Sequence, residues 1–301
     1  MSETILKING LSKSYGKKQV LKNVTFSVEK GKIYGFIGEN GAGKTTTIRA
    51  VTGLTAVEDG QVELFGKSDA KGLSEGRKKM GCLVEHPIIS LNKTAHDNLA
   101  MQQLLYGQDD ASRIDRLLER VGLSDVKNKK VKDFSLGMKQ RLGIAVSLIN
   151  DPELLILDEP VNGLDPVGMV EVRELLRSLA ADDGITIVIS SHILAELYQL
   201  VTDYIIISHG EILETISKEE LDAKCASYVT LETDRTEAAL EVLKNNGASD
   251  IGFEGNIIRI YDDVSLRTVA TWMFDARILV TLLARHERSL ENYYMELLGR
   301  A

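Results

Sequence analysis

The sequence predicts an α/β fold in which a mainly parallel sheet carries the larger part of the chain and a small ferredoxin-like α/β unit follows it. Three observations predict this. Short apolar runs, among them "KIYGFIG", "LLILD" and "ITIVIS", alternate with segments of helical periodicity, the pattern of strands joined by right-handed crossovers. The first of these runs leads straight into a glycine-rich turn that opens a helix. After about Leu221 a second series begins, read as strand, helix, strand, strand, helix, strand and helix.

Taken in order, Ile5 to Val28 is strand-like and antiparallel in flavour, with "VLKNVTFSV" alternating apolar and polar residues as a half-buried strand does. "KIYGFIG" is a short buried strand, and the helix after it runs from about Lys44 to Leu54. Strand-like "QVELFG" and "GCLVE" precede a mainly helical block from about Thr94 to Val121. A helix follows Ser135, then the strand "LLILD", a helix from Pro166 to about Ala180, the strand "ITIVIS", a helix from His192 and the strand "YIIIS". The second series comprises "SYVTLET", "RTEAALEVLKNNG", "DIGFEG", "NIIRIYD", "SLRTVATWMFDA", "RILVTLLA" and "SLENYYMELLG". In its last helix, Leu290, Tyr294 and Leu297 fall on one face, which either closes the unit's own core or meets a partner.

Composition narrows the function class. With 301 residues, 44% of them hydrophobic and 27% charged, the chain reads as a globular protein of one large and one smaller domain. A formal net charge of -8 opposes a nucleic-acid surface or a purely electrostatic hold on anionic lipid. Cys82 and Cys225 match no metal or redox spacing; they read as semi-buried small hydrophobes in a reducing cytoplasm. No apolar run approaches the ~20 residues of a spanning helix, and the N-terminus lacks a signal-peptide pattern, so a membrane role is expected to come through a partner.

The chemistry concentrates in a few motifs. "GENGAGKTT" has Gly38, Gly43, Lys44 and Thr45 at the fixed positions of a phosphate-binding loop, between a strand and a helix as the physics requires. Inward N–H groups and the positive helix end cradle phosphates, Lys44 reaches the terminal pair, and the Thr45 hydroxyl ligates Mg²⁺. "LLILDEP" delivers Asp158 and Glu159 to the C-terminal end of a buried strand, where Asp158 holds Mg²⁺ through water and Glu159 polarises the attacking water. Asp165 in "NGLDP" reads as a helix cap just before Pro166. His192 in "ISSHILAE" stands at the strand end from which a γ-phosphate can be reached, while Tyr15 is either a surface aromatic or a platform for adenine.

"GENGAGKTT", "FSLGMKQRL", "LLILDEP", "NGLDP" and "SSH", in this order, resemble the ATP-binding cassette ATPases over about the first 220 residues. Within that family "FSLGMKQRLG", with Glu85 where most members have Gln, looks like the bacitracin and lantibiotic resistance or immunity exporters. The resemblance implies an ATP-binding domain over residues 1–222, with an antiparallel β subdomain and a helical subdomain at about 88–150, followed by an accessory domain at 223–301.

It also implies roles. Tyr15 is the adenine platform, and Gly38, Asn40, Gly41, Ala42, Gly43, Lys44, Thr45 and Thr46 belong to the phosphate loop. Ser135, Leu136, Gly137 and Met138 form a signature that caps the ATP of a second subunit, with Leu136 where many members have Gly. Asp158 and Glu159 serve Mg²⁺ and hydrolysis, His192 assists catalysis, and Asp165 lies at the dimer interface. Glu85 joins Thr45 and Asp158 as an expected Mg²⁺ residue and lines a loop that touches both Mg²⁺ and a transmembrane partner. The expected protein is an ATPase subunit that pairs head to tail around two ATP at the cytoplasmic face of the membrane. It would drive separate permease subunits that export an antimicrobial peptide or drug. The competing reading is a soluble ATPase of this family that remodels or regulates, without transport; a nucleotide sensor is a third, which would not need both Glu159 and His192.

Overall fold

Alternating burial gives the first two strands, β1 (Thr4–Tyr15) and β2 (Lys18–Glu29), one inward face each, with Ile8, Leu11, Val24 and Val28 inaccessible. β3 (Ile33–Ile37) is buried at every position and leads into α1 (Lys44–Thr52). β4 (Asp59–Leu64) pairs with β1 to complete a three-stranded antiparallel sheet of order β2-β1-β4. The computed structural model describes residues 3–225, 227–286 and 290–299, and the chain divides into two units between Lys218 and Glu219.

In the first unit, α2 (Ala70–Arg77), a helix the sequence reading left unassigned, starts on the Asp69 cap and precedes β5 (Met80–Leu83). The helical block consists of α3 (Ala95–Leu105), α4 (Ala111–Arg120) and α5 (Leu136–Ser147). Thr94 and Asp97 cap α3 reciprocally, and Asp110 and Ser135 cap the other two, so each start is written in a polar side chain. β6 (Leu154–Asp158), α6 (Pro166–Asp183), β7 (Thr186–Ser191), α7 (Leu194–Leu197), β8 (Asp203–Ser208) and β9 (Glu211–Ser217) follow. The six-stranded sheet has the order β5-β6-β7-β3-β8-β9, parallel throughout except for the β8–β9 pair. β6 and β7 are buried at every residue, as central parallel strands are. Phe26, Phe36, Ile48 and Ile156 share one core, which joins the antiparallel sheet, α1 and the parallel sheet.

The second unit continues from α8 (Lys218–Lys224) through β10 (Tyr228–Thr233), α9 (Thr236–Asn245), β11 (Ile251–Glu254), β12 (Ile257–Ile260), α10 (Leu266–Asp275), β13 (Val280–His286) and α11 (Leu290–Leu297). Its four-stranded antiparallel sheet has the order β11-β12-β10-β13, the ferredoxin-like arrangement. Val229, Leu231 and Ile258 of the sheet pack with Leu243 of α9 and Met273 of α10.

Several expectations are corrected. The helix read from His192 begins only at Leu194, because the Ser191 hydroxyl accepts the Ile193 N–H at 3.0 Å and holds a local turn. The strand "GCLVE" stops at Leu83, and Glu85 takes φ 61°, which turns the chain out of the sheet. Cys82 is exposed rather than semi-buried, since β5 is an edge strand. On α11 the buried residue is Tyr293, between the expected Leu290, Tyr294 and Leu297; Ser289 lies outside the described residues.

α5 lies so close to β5 that a Cβ on Gly81 would sit 2.2 Å from the Ser147 carbonyl oxygen. Gly81→Ala is therefore expected to lower stability by about 1–3 kcal/mol, since the obstacle is backbone and cannot swing aside. Urea unfolding tests this as a shifted midpoint at constant slope; an unchanged midpoint would show that α5 shifts freely.

Candidate nucleotide site

The loop from Gly38 to Gly43 leaves the end of β3 and enters α1, and close approach fixes its first and last glycines. A Cβ on Gly38 would meet the Ile207 carbonyl oxygen at 2.4 Å, while Gly43 has φ 116° and a Cβ there would meet Leu21 Cδ2 at 2.7 Å. Lys44 is only 5% exposed; its ammonium donates to the carbonyls of Gly38 at 2.6 Å and Glu39 at 3.3 Å and lies 3.2 Å from Glu159 Oε1. Asn40, Gly41, Gly43, Lys44, Thr45 and Thr46 line a cavity of about 220 Å³ together with Glu159 and Asn162. Ala42 contributes backbone instead: its side chain is buried, and its carbonyl accepts the Gly210 N–H at 2.9 Å.

The carboxylates reach this cavity through strand register. β6 and β7 pair in parallel with Asp158 opposite Ser190, which brings both to the strand ends nearest the loop. Asp158 is buried and accepts twice, from Thr45 Oγ1 at 2.8 Å and from Ser190 Oγ at 2.6 Å. The Ser190 oxygen in turn accepts the Glu159 N–H at 2.9 Å. Glu159 has φ 51°, and its second oxygen lies 2.7 Å from His192 Nδ1. One carboxylate thus stands between an ammonium and an imidazole at the edge of a phosphate-sized cavity. Such a group can polarise water while its neighbours hold its orientation. For a metal ion the fitting donors are the Thr45 hydroxyl and the Asp158 carboxylate; among the described residues no three His, Cys, Asp or Glu side chains gather into a cage.

The remaining predicted residues stand apart from this cluster. Ser135 caps α5 by accepting the Met138 N–H at 3.2 Å, and of Ser135, Leu136, Gly137 and Met138 none lines the phosphate cavity. Leu136 does share a neighbouring cavity of about 420 Å³ with Glu85, Glu159 and Asn162. Asp165 accepts the Gly168 N–H at 3.0 Å, as the cap of α6. Tyr15 ends β1, 48% exposed, with the Lys13 ammonium 5.4 Å from its ring centre. Glu85 accepts from Arg49 at 2.7 Å. Sequence reasoning missed Ser190, Asn162 and Arg49. The doubled serine in "ISSH" was the only visible sign of the first, Asn162 opens the motif "NGLDP" without having been singled out, and Arg49 had no sign.

Comparison with known proteins bears on the family and the fold. The family described as "ABC transporter" matches residues 21–162. The bacitracin transport ATP-binding protein BcrA of Bacillus licheniformis is 42% identical over 299 residues, 98% of each chain. The lantibiotic transport ATP-binding protein SrtF of Streptococcus pyogenes is 46% identical over 209 residues, 69% of this chain and 89% of its own. Among solved structures, an ATP-binding subunit of an ABC transporter aligns with a TM-score of 0.64 at 30% identity, covering 73% of this chain and 92% of that one.

Because Lys44 supplies a buried charge to any phosphate in this cavity, Lys44→Ala is expected to weaken ATP binding by on the order of 30-fold or more, the loss of a charge-assisted hydrogen bond. Titration calorimetry on the folded variant reads this directly; unchanged affinity would remove Lys44 from the site.

Proposed function

The chain belongs to the ABC transporter family of ATP-binding proteins, and from that premise we propose that it powers an exporter of antimicrobial peptides or drugs as a head-to-tail pair of identical chains. It binds and hydrolyses ATP as the ATPase subunit of a transporter with transmembrane partners. Among the described residues no helix is long and apolar enough to cross a membrane. The reading accordingly has the chain held at the cytoplasmic face through those partners. The cargo class rests on relatives named for bacitracin and lantibiotic transport.

The observation that carries the mechanism is Glu159 poised between Lys44, at 3.2 Å, and His192, at 2.7 Å. In our reading the phosphate loop and Lys44 hold the phosphates, Glu159 accepts a proton from the attacking water, and His192 fixes the carboxylate against rotation. A hydroxyl and a carboxylate, Thr45 and Asp158, suit Mg²⁺, which takes oxygen donors and keeps waters and phosphate oxygens as its other ligands. When bound, that ion neutralises phosphate charge. The α5 N-terminus behind Ser135 is an anion-binding end that does not line its own loop cavity, which supports its use by the ATP of a second chain. Tyr15 is assigned to adenine and Asp165 to the edge of the paired subunit. We assign the second unit an accessory role, because its sequence contains no phosphate loop.

An exposed apolar surface favours transport over a soluble remodelling role. Ile88 is 98% exposed, Leu54 is also exposed, and both line a cavity of about 360 Å³ with Arg49, Glu85 and Gln102. This supports docking of a segment of the transmembrane partner.

Glu159→Gln is expected to bind ATP while hydrolysing it at least about a hundred-fold more slowly, and to accumulate as an ATP-bound dimer. Ser135→Arg keeps binding by the single chain but blocks dimer formation. Light scattering with Mg-ATP and a turnover assay test both; a monomeric Glu159→Gln, or a Ser135→Arg that turns over normally, contradicts the shared site. For the docking edge, Glu85→Gln should leave basal hydrolysis within about three-fold while lowering drug resistance in cells carrying the assembled transporter. Unchanged resistance would make Glu85 incidental, and collapsed basal hydrolysis would make it catalytic.

A further inference from the structure

We propose that Ser190 is a positioning residue for hydrolysis, its hydroxyl tying the Asp158 carboxylate to the Glu159 amide and so setting where the Glu159 carboxylate stands. The proposal rests on the reading of Glu159 as the group that activates water.

Ser190 is fully buried and its hydroxyl is engaged on both sides, donating to Asp158 Oδ1 at 2.6 Å and accepting the Glu159 N–H at 2.9 Å. The direction is fixed, because a carboxylate only accepts and an amide N–H only donates. Asp158 Oδ2 takes the Thr45 hydroxyl at 2.8 Å, so a continuous chain of bonds runs from the phosphate loop to the catalytic backbone. Its last link replaces sheet structure. The β6–β7 ladder ends at the Asp158–Ser190 pair, and the next amide goes to a side chain rather than to a strand carbonyl. There the chain turns into the left-handed region, φ 51° at Glu159, a conformation uncommon for a residue with a side chain. The same turn aims one carboxylate at both Lys44 and His192. Without the hydroxyl, a buried N–H loses its acceptor at the residue whose direction matters most.

The test compares Ser190→Thr with Ser190→Val, which add the same bulk and differ only in the hydroxyl. The expected result is that Val lowers kcat by on the order of ten-fold or more relative to Thr, while KM for ATP and the affinity for a non-hydrolysable ATP analogue stay within about three-fold. In nucleotide-free protein, hydrogen exchange of the peptide spanning residues 157–163 should be several-fold faster in Val than in Thr, since one protecting bond is gone. Equal kcat for the two variants, binding lost in step with turnover, or equal exchange would overturn the proposal. Glu159→Gln serves as the control: if it turns over like the parent, the role of Glu159 fails and takes the proposal with it. A dead Glu159→Gln beside indistinguishable Thr and Val variants removes Ser190 alone.

Discussion

The site is organised around a buried charge. Lys44 is 5% exposed, and an ammonium taken out of water costs several kcal/mol unless it is compensated. Two loop carbonyls and one oxygen of Glu159 supply the compensation. The carbonyls of Gly38 and Glu39 must therefore turn inward, and the tight packing of Gly38 against Ile207 leaves the loop little alternative. Glu159 must turn back over the loop, which its left-handed backbone achieves at roughly 1–2 kcal/mol. With phosphate present Lys44 gains a stronger anionic partner, whereas Glu159 still has His192 on its other oxygen. One oxygen of Glu159 is thus held by a group that does not depend on Lys44.

How much of this could be read from sequence depends on the range of the interaction. The phosphate loop, the buried strand before Asp158 and the βαββαβ order of the second unit were legible, since each is written in contiguous residues with a period or a turn signal. So was the cap at Asp165, which acts within three residues of itself. The Ser190 link was hidden, because it exists only once two strands 32 residues apart in sequence settle into one parallel register. Arg49 was hidden for the same reason: its partner Glu85 lies 36 residues away, on a turn whose φ of 61° no local pattern announced. The late start of α7 was a local competition between a serine hydroxyl and the helix, which apolar periodicity does not register.

Asp165 illustrates how one residue carries a local duty whatever else it does. Its carboxylate caps α6 through the Gly168 N–H, and Pro166 follows at the first helical position, so the loop after Glu159 ends in a rigid start. A Cβ on Gly163 would touch Leu136 Cδ2 at 3.4 Å, which brings this loop beside the beginning of α5. The Leu136 side chain therefore rests against the loop that follows β6. That contact accommodates Leu136 without occupying Gly137, whose own Cβ position has nothing nearer than 3.8 Å.

The same helix that begins at the phosphate loop ends the chain of contacts at the sheet edge. Lys44 opens α1 and Arg49 lies five residues on, about 7.5 Å along a helix axis. Arg49 holds Glu85 at 2.7 Å, and Glu85 sits where the chain leaves the edge strand β5 beside the exposed Ile88. A nine-residue helix does not bend appreciably over that distance, and Ile48 and Val51 anchor it in the core shared with β6. The path from Lys44 to the exposed apolar edge is thus one rigid element and one ion pair. The ion pair is the compliant part, since both its side chains are substantially exposed and such pairs contribute little to stability. A partner at that edge would meet a carboxylate that can be released from Arg49 at small cost, while α1 stays anchored in the core.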